Sequence, residues 1–174
     1  MAEKQVGLIA GTLLGPWFGE VYDIILTDRR FVFVFVEKFG LKTRFDENPN
    51  EGKYANDSLD SLAAREGTIT IPYTSVRHIR MKGVHKNEGG MHYLYLEHTG
   101  PDEKKKKLKI LLWSPTRVSG DTFWAAARDS GTLAIEQNAI QLKYANSVKQ
   151  KLERVLPVSV LQDAEWHLEY ARFP

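Results

Sequence analysis

Residues 22–36 read Tyr-Asp-Ile-Ile-Leu-Thr-Asp-Arg-Arg-Phe-Val-Phe-Val-Phe-Val, and this stretch decides the fold. Two β-rich runs flank a polar Thr27-Asp28-Arg29-Arg30 centre, which is the pattern of a hairpin. In the second run Phe31, Phe33 and Phe35 point to one side and Val32, Val34 and Val36 to the other, because side chains alternate across a strand. Leaving the Phe side chains in water would forfeit about 1.5–3 kcal/mol each. A domain is stable by only about 5–15 kcal/mol, so both sides of this strand must be covered. One side can face a core; the other requires a helix, a second sheet or another subunit.

Before the hairpin, Val6 to Phe18 is an apolar run of about 13 residues. That is short of the roughly 20 needed to span a bilayer. Lys4 is offset by Glu3 and no small-residue cleavage site follows, so the run reads as a first strand rather than a removable leader. Gly7, Gly11, Gly15 and Gly19 recur through it, which fits an irregular strand and turn where glycine supplies unusual φ values.

After the hairpin, residues 38–56 form a polar excursion with Gly40, Pro49 and Gly52. Asp57 then caps a short helix carrying Leu59, Leu62 and Ala63, ended by Gly67. Further strands follow at Thr68–Tyr73, Val76–Lys82, Met91–His98 and Leu108–Trp113. Arg77, Ile79 and Met81 alternate with His78, Arg80 and Lys82, Leu94 and Leu96 oppose Tyr93 and Tyr95, and Leu108, Ile110 and Leu112 form an inward set. Short strands joined by turns predict an antiparallel sheet or barrel. Asp121 caps a short helix through Arg128. From Thr132 the spacing turns helical, with Ile140, Tyr144, Val148 and Leu152 every four residues and Pro157 as the stop. Ser159 and Gln162 make a capping-box pattern for a last helix to about Arg172, with Trp166, Tyr170 and Phe173 near its apolar face.

A sheet of about six or seven short strands followed by one long amphipathic helix resembles the pleckstrin-homology-like superfold, in its prokaryotic PH and GRAM-type branches. Ile25-Leu26-Thr27-Asp28-Arg29-Arg30-Phe31-Val32-Phe33 looks like the hairpin that recurs there, and Ile71-Pro72-Tyr73-Thr74-Ser75-Val76 like the lead into a middle strand. The resemblance implies an α+β, mainly β fold: a PH-like antiparallel barrel or bent sheet capped by a long C-terminal helix. Residues 1–157 would form that domain, with an insertion at about 38–66, and residues 158–174 a helical tail. PH domains that bind phosphoinositides generally carry spaced basic residues in the first hairpin loop; here that loop offers only Arg29 and Arg30.

Composition bounds the function. With 43% apolar residues in 174, the chain can bury a substantial core, and a net charge of +2 is too small to argue for nucleic acid. The absence of cysteine removes thiol catalysis and thiolate metal sites, and fits a cytoplasmic protein. Lys104, Lys105, Lys106, Lys107 and Lys109 are the strongest charge feature, blunted by Asp102 and Glu103. His78, Arg80 and Lys82 should share a strand face; both groups are candidate contacts for an anion or an acidic lipid surface, against the plainer reading of solvated surface. Nucleic acid would want aromatics interleaved with the charge, and only Tyr93 and Tyr95, if they fall on a neighbouring strand, offer them. It is not the expected partner.

No metal site is expected: His92 and His98 lie roughly 20 Å apart along one strand, and Asp46-x-Asn48-x-Asn50 does not keep calcium-loop spacing. No phosphate-cradling glycine loop and no H-E-x-x-H occurs, so neither catalysis nor a cofactor is expected. The leading expectation is a non-enzymatic adaptor that binds protein partners through Phe31, Phe33, Phe35, Trp166, Tyr170 and Phe173, including a second copy of itself. The alternatives are a peripheral module on an anionic membrane surface, through the two basic groups, and a small-ligand or hydrolytic site in a cleft near the 38–66 excursion.

Overall fold

The central hairpin forms as β2 (Glu20–Thr27) and β3 (Arg30–Lys38), paired antiparallel from Glu20 with Lys38 to Leu26 with Phe31. The computed structural model describes residues 3–15, 19–38, 52–84, 90–112 and 132–169. Thr27 fixes the turn: its hydroxyl oxygen accepts from the backbone N–H groups of Arg29 and Arg30 at 3.0 and 2.9 Å, the local alternative to a ladder that Ser and Thr provide. On the other flank β1 (Gln5–Leu14) pairs with β2, with an irregularity between Ile9 and Thr12. Gly11 sits there with φ 63°, a conformation glycine adopts without steric cost.

A short helix α1 (Leu59–Ala63) follows, then β4 (Ile69–Pro72), β5 (Val76–Val84), β6 (Met91–Thr99) and β7 (Lys105–Leu112). The cap of α1 is Ser58, not Asp57: the Ser58 Oγ accepts from the Ser61 N–H at 3.1 Å, while Asp57 pairs with Arg65 at 2.8 Å. The long helix α2 (Thr132–Val155) leads through Pro157 into a short helix α3 (Val158–Gln162) and a strand β8 (Glu165–His167). No helix among the described residues is long and apolar enough to cross a membrane.

All eight strands belong to one sheet in the order β4-β3-β2-β1-β7-β6-β5-β8. The fold is α+β and mainly β, and the sheet has two edges rather than closing into a barrel. β1 and β7 meet through only two residue pairs, Leu13 with Leu111 and Leu14 with Ile110, so β1–β4 and β5–β8 behave as two halves with a narrow join.

The eighth strand corrects the expected tail. Its helix stops at Gln162, and residues 165–167 instead run parallel along β5, pairing Arg80 with Glu165 and Lys82 with His167. An unpaired strand edge satisfies backbone groups better than helix propensity alone can, and Trp166 and Leu168 pack onto the core from there. Tyr170, Phe173, the expected helix at 121–128 and most of the 38–56 excursion lie outside the described residues.

Phe31 and Phe33 are each 1% exposed and join Tyr22, Ile24, Ile79, Leu94 and Leu96 in the main core beneath α2. On the other side Ile25, Val32 and Val34 are sealed by Leu8, Tyr54 and Leu62. From Phe31 to Val34 the strand is thus sandwiched within one chain, by a helix on one side and by the segment around α1 on the other, whereas Val36 at its end is exposed. The buried stripe of α2 is Gln137, Gln141, Ala145, Val148 and Leu152; Ile140 and Tyr144 are half-buried. A strict four-residue repeat drifts by about 40° per step around a helix, so the apolar series only meets the buried line at its C-terminal end.

Candidate anion-binding face

Inward residues of β5, β6 and β7 determine what points outward. Ile79, Met81, Leu94, Leu96, Ile110 and Leu112 are all within 1% of full burial, and a one-residue shift in register would expose every one of them. The opposite parity therefore faces outward: His78, Arg80 and Lys82 on β5, Tyr93, Tyr95 and Glu97 on β6, Lys107, Lys109 and Leu111 on β7. Register then sets them side by side. Arg80, Tyr95 and Lys109 form one row across the three strands, Lys82, Tyr93 and Leu111 the next, and His78, Glu97 and Lys107 the row on the other side. The two basic groups distinguished in the sequence are in this way one surface with a tyrosine pair in its middle.

The cations of this face divide into compensated and uncompensated. Lys105 and Lys107 both reach Glu97, at 2.5 and 2.8 Å. Their hydrogen bonds, Lys105 first, hold the Glu97 carboxyl down at about 2. Lys106, of opposite parity, pairs with Asp102 at 3.4 Å, and Lys104 sits in the turn, where its carbonyl accepts from the Gly100 N–H at 2.8 Å. Arg80, Lys82 and Lys109 have no carboxylate partner among the described residues. Arg80 lies 4.7 Å from the Tyr95 ring centroid and Lys109 lies 4.2 Å from that of Tyr93, geometry for cation–π attraction. The Arg80 Nε is buried and donates to nothing in the described chain. Burial, and next the neighbouring Tyr95, push the Tyr93 hydroxyl above its ordinary value, so it stays protonated. At the β8 border Glu165 is shared between His78, at 3.3 Å, and His167, at 3.4 Å.

The remaining expectations fare differently. Phe31 and Phe33 are core residues and present no surface to a partner; Phe35 is half-buried against Tyr22 in an edge-on contact at 5.8 Å. Phe31 to Val34 are covered within the chain, while Val36 at the end of the strand is 40% exposed. Trp166 is half-buried on β8, packed on the core with Lys149 5.6 Å from its ring. In the first hairpin Arg30 is spent on Glu3, at 2.8 Å, with Asp60 at 3.7 Å. Among the described residues no group of three or more His, Asp or Glu is placed to hold a metal ion.

Beside the 38–66 excursion a groove of about 780 Å³ opens between the start of β1 and the α1 segment, lined by Glu3, Val6, Tyr54, Asp57, Ser58 and Asp60 among others. Three of its polar groups are committed to structure: Ser58 caps α1, Asp57 binds Arg65, and Tyr54 donates to the buried Asp23 at 2.7 Å. They do not form a nucleophile–base pair.

Sequence reasoning missed Glu97 as a member of the site, and placed Tyr93 and Tyr95 beside the cations only on condition that they fall on a neighbouring strand. The signal was present in the turn: Gly100 closes it through bonds to Lys104 and from Glu103, and a Cβ on Gly100 would sit 2.6 Å from Asp102. A turn so fixed sets the pairing of Tyr95 with Lys109 and Glu97 with Lys107.

No protein-family model matches the chain, and no curated protein matches it. Among solved structures, the hSac2 domain from the human phosphoinositide phosphatase Sac2 is similar at a TM-score of 0.45 and 10% identity, over 99% of this chain and 79% of that one. A likeness this distant leaves function to be argued from the residues of the face.

Proposed function

We propose that this protein is a non-enzymatic, PH-like binding module that captures an anionic ligand on the outer face of β5–β7. The strand succession, with a long helix after the seventh strand, supports the PH-like part of the reading. One observation carries the functional part: Arg80, Lys82 and Lys109 stand on one sheet face without a carboxylate partner among the described residues. Compensated surface cations attract little, whereas uncompensated ones on a shared face raise the local concentration of an anion. Each such cation adds about 1 kcal/mol near an anionic surface, so the three give modest, salt-sensitive attachment.

Heparin chromatography of the intact chain tests this. The wild type is retained at low salt, and the combined variant Arg80→Gln, Lys82→Gln, Lys109→Gln elutes at distinctly lower salt. The control variant Lys104→Gln, Lys106→Gln removes charge outside the face and elutes close to wild type. Equal elution of the triple variant and wild type would dispose of the reading.

A further inference from the structure

We propose that the ligand of this face is a single-stranded polynucleotide, held at its phosphates by Arg80, Lys82 and Lys109 and at two neighbouring bases by Tyr93 and Tyr95. This rests on the anion-binding reading and names the ligand of the same face.

The tyrosines carry the argument. They occupy alternate positions of β6, the strand between β5 and β7, and cations stand on both flanking strands. Bases stack on aromatic side chains whatever their identity, and interleaved cations track the backbone. A flat sheet with aromatics on a central strand is a surface on which unpaired bases are commonly read. Spacing decides between single and double strands. The Tyr93 and Tyr95 centroids are 6.2 Å apart and the rings are inclined by 45°. Stacked bases in a duplex repeat at about 3.4 Å along each strand, so neighbouring bases can each meet a ring only when they are unstacked.

The cations suit the same ligand. Arg80 already lies over Tyr95, and a guanidinium plane stacks on a base as it does on a phenol ring. An acidic bilayer would use the charges and leave the tyrosines idle, since they are half-buried in mid-sheet rather than raised on a loop tip. Glu97 and Glu165 bound the track on two sides, which sets a short footprint.

Fluorescence anisotropy of labelled oligo(dT) with the intact chain at low salt tests the proposal, with heparin, oligo(dA)·oligo(dT) duplex and phosphatidylserine vesicles as competitors. Oligo(dT) should bind more tightly than the duplex. The double variant Tyr93→Val, Tyr95→Val should lose about twentyfold or more in oligo(dT) affinity while its heparin affinity, carried by the charges, falls far less, and a circular dichroism spectrum like that of wild type shows that it is folded. Should the double variant unfold, Tyr95→Val alone should lose about fivefold or more. Lys109→Gln should reduce the slope of log affinity against log salt by about 0.7. If the tyrosine variants bind oligo(dT) like wild type, or if only vesicles compete, the polynucleotide is wrong and anion capture by the face stands. If neither heparin, oligo(dT) nor vesicles bind, both readings fall.

Discussion

The halves of the sheet differ both in the charge they carry and in how they use it: β1–β4 hold Arg30 and Lys38 against Glu20, Asp23 and Glu37, whereas β5–β8 hold seven Lys and Arg residues against Glu97 and Glu165. In β1–β4 both faces are covered apart from Val6 and Val36 at the strand ends, and the polar groups are consumed internally: Arg30 by Glu3, and buried Asp23 by the Gly11 N–H at 2.8 Å, Tyr54 at 2.7 Å and Lys53 at 2.8 Å. In β5–β7 one face packs on α2 and the other holds Arg80, Lys82 and Lys109 against tyrosines, with no carboxylate to meet them among the described residues. The lysine run is the densest cluster of charge in the chain, yet Glu97 and Asp102 absorb most of it. Charge density therefore does not locate the binding surface; lack of compensation does.

The widest gap between the halves should appear in stability. Phe33→Ala empties a core position and should cost about 3–5 kcal/mol, whereas Tyr95→Val, on the outer face, should stay within about 1 kcal/mol, the scale of its cation–π contact. Chemical denaturation measures both, and equal losses would erase the distinction between a doubly covered and a singly covered half. Next in size, Tyr54→Phe takes a donor from the buried Asp23 carboxylate and should cost about 1.5–3 kcal/mol. A neutral result would mean that the α1 segment is not held down on β2 in the way described.

A third prediction concerns the seam where the tail joins β6. His92 is buried, and its Nε2–H donates to the Leu168 carbonyl at 2.8 Å. Burial holds its pKa below the ordinary 6.5, partly offset by that bond. The unfolded chain then binds the proton more readily than the folded one, so this contribution is complete above about pH 6.5 and declines as the pH falls below it. His92→Gln keeps a donor and cannot titrate. Its denaturation midpoint should fall less than that of wild type between about pH 7 and about pH 5.5, and parallel curves would remove His92 from the account. The smallest effect belongs to Lys105→Gln: the pair with Glu97 is solvent-exposed on the lysine side, and its loss should leave the denaturation midpoint close to that of wild type.

Much of this was legible in the chain. Alternation in residues 31–36, 76–82 and 91–98 identified strands and their inward sides, because a buried face admits only one parity. The long helix was legible from its period, although Gln137 and Gln141 on its buried line were not, since burial of an amide depends on neighbours that no local pattern reveals. What covers Val32 and Val34 was hidden for the same reason: Tyr54 and Leu62 arrive from across the excursion. Strand β8 was misread as helix because residues 165–167 are too few to show a period, and the edge of β5 decides their conformation. The face itself was half legible. Its cations stood out, while their union with Tyr93 and Tyr95 depends on register between strands, which alternation within a strand does not encode.

The central claim is best tested by mapping amide chemical shifts of the isotopically labelled chain as tripolyphosphate, an anion with neither bases nor lipid tails, is added at low salt. The account predicts perturbations concentrated at Arg80, Lys82, Tyr93, Tyr95 and Lys109. Perturbations centred instead on the Asp28–Arg30 turn or on Lys104–Lys106, with the β5–β7 face silent, would contradict it.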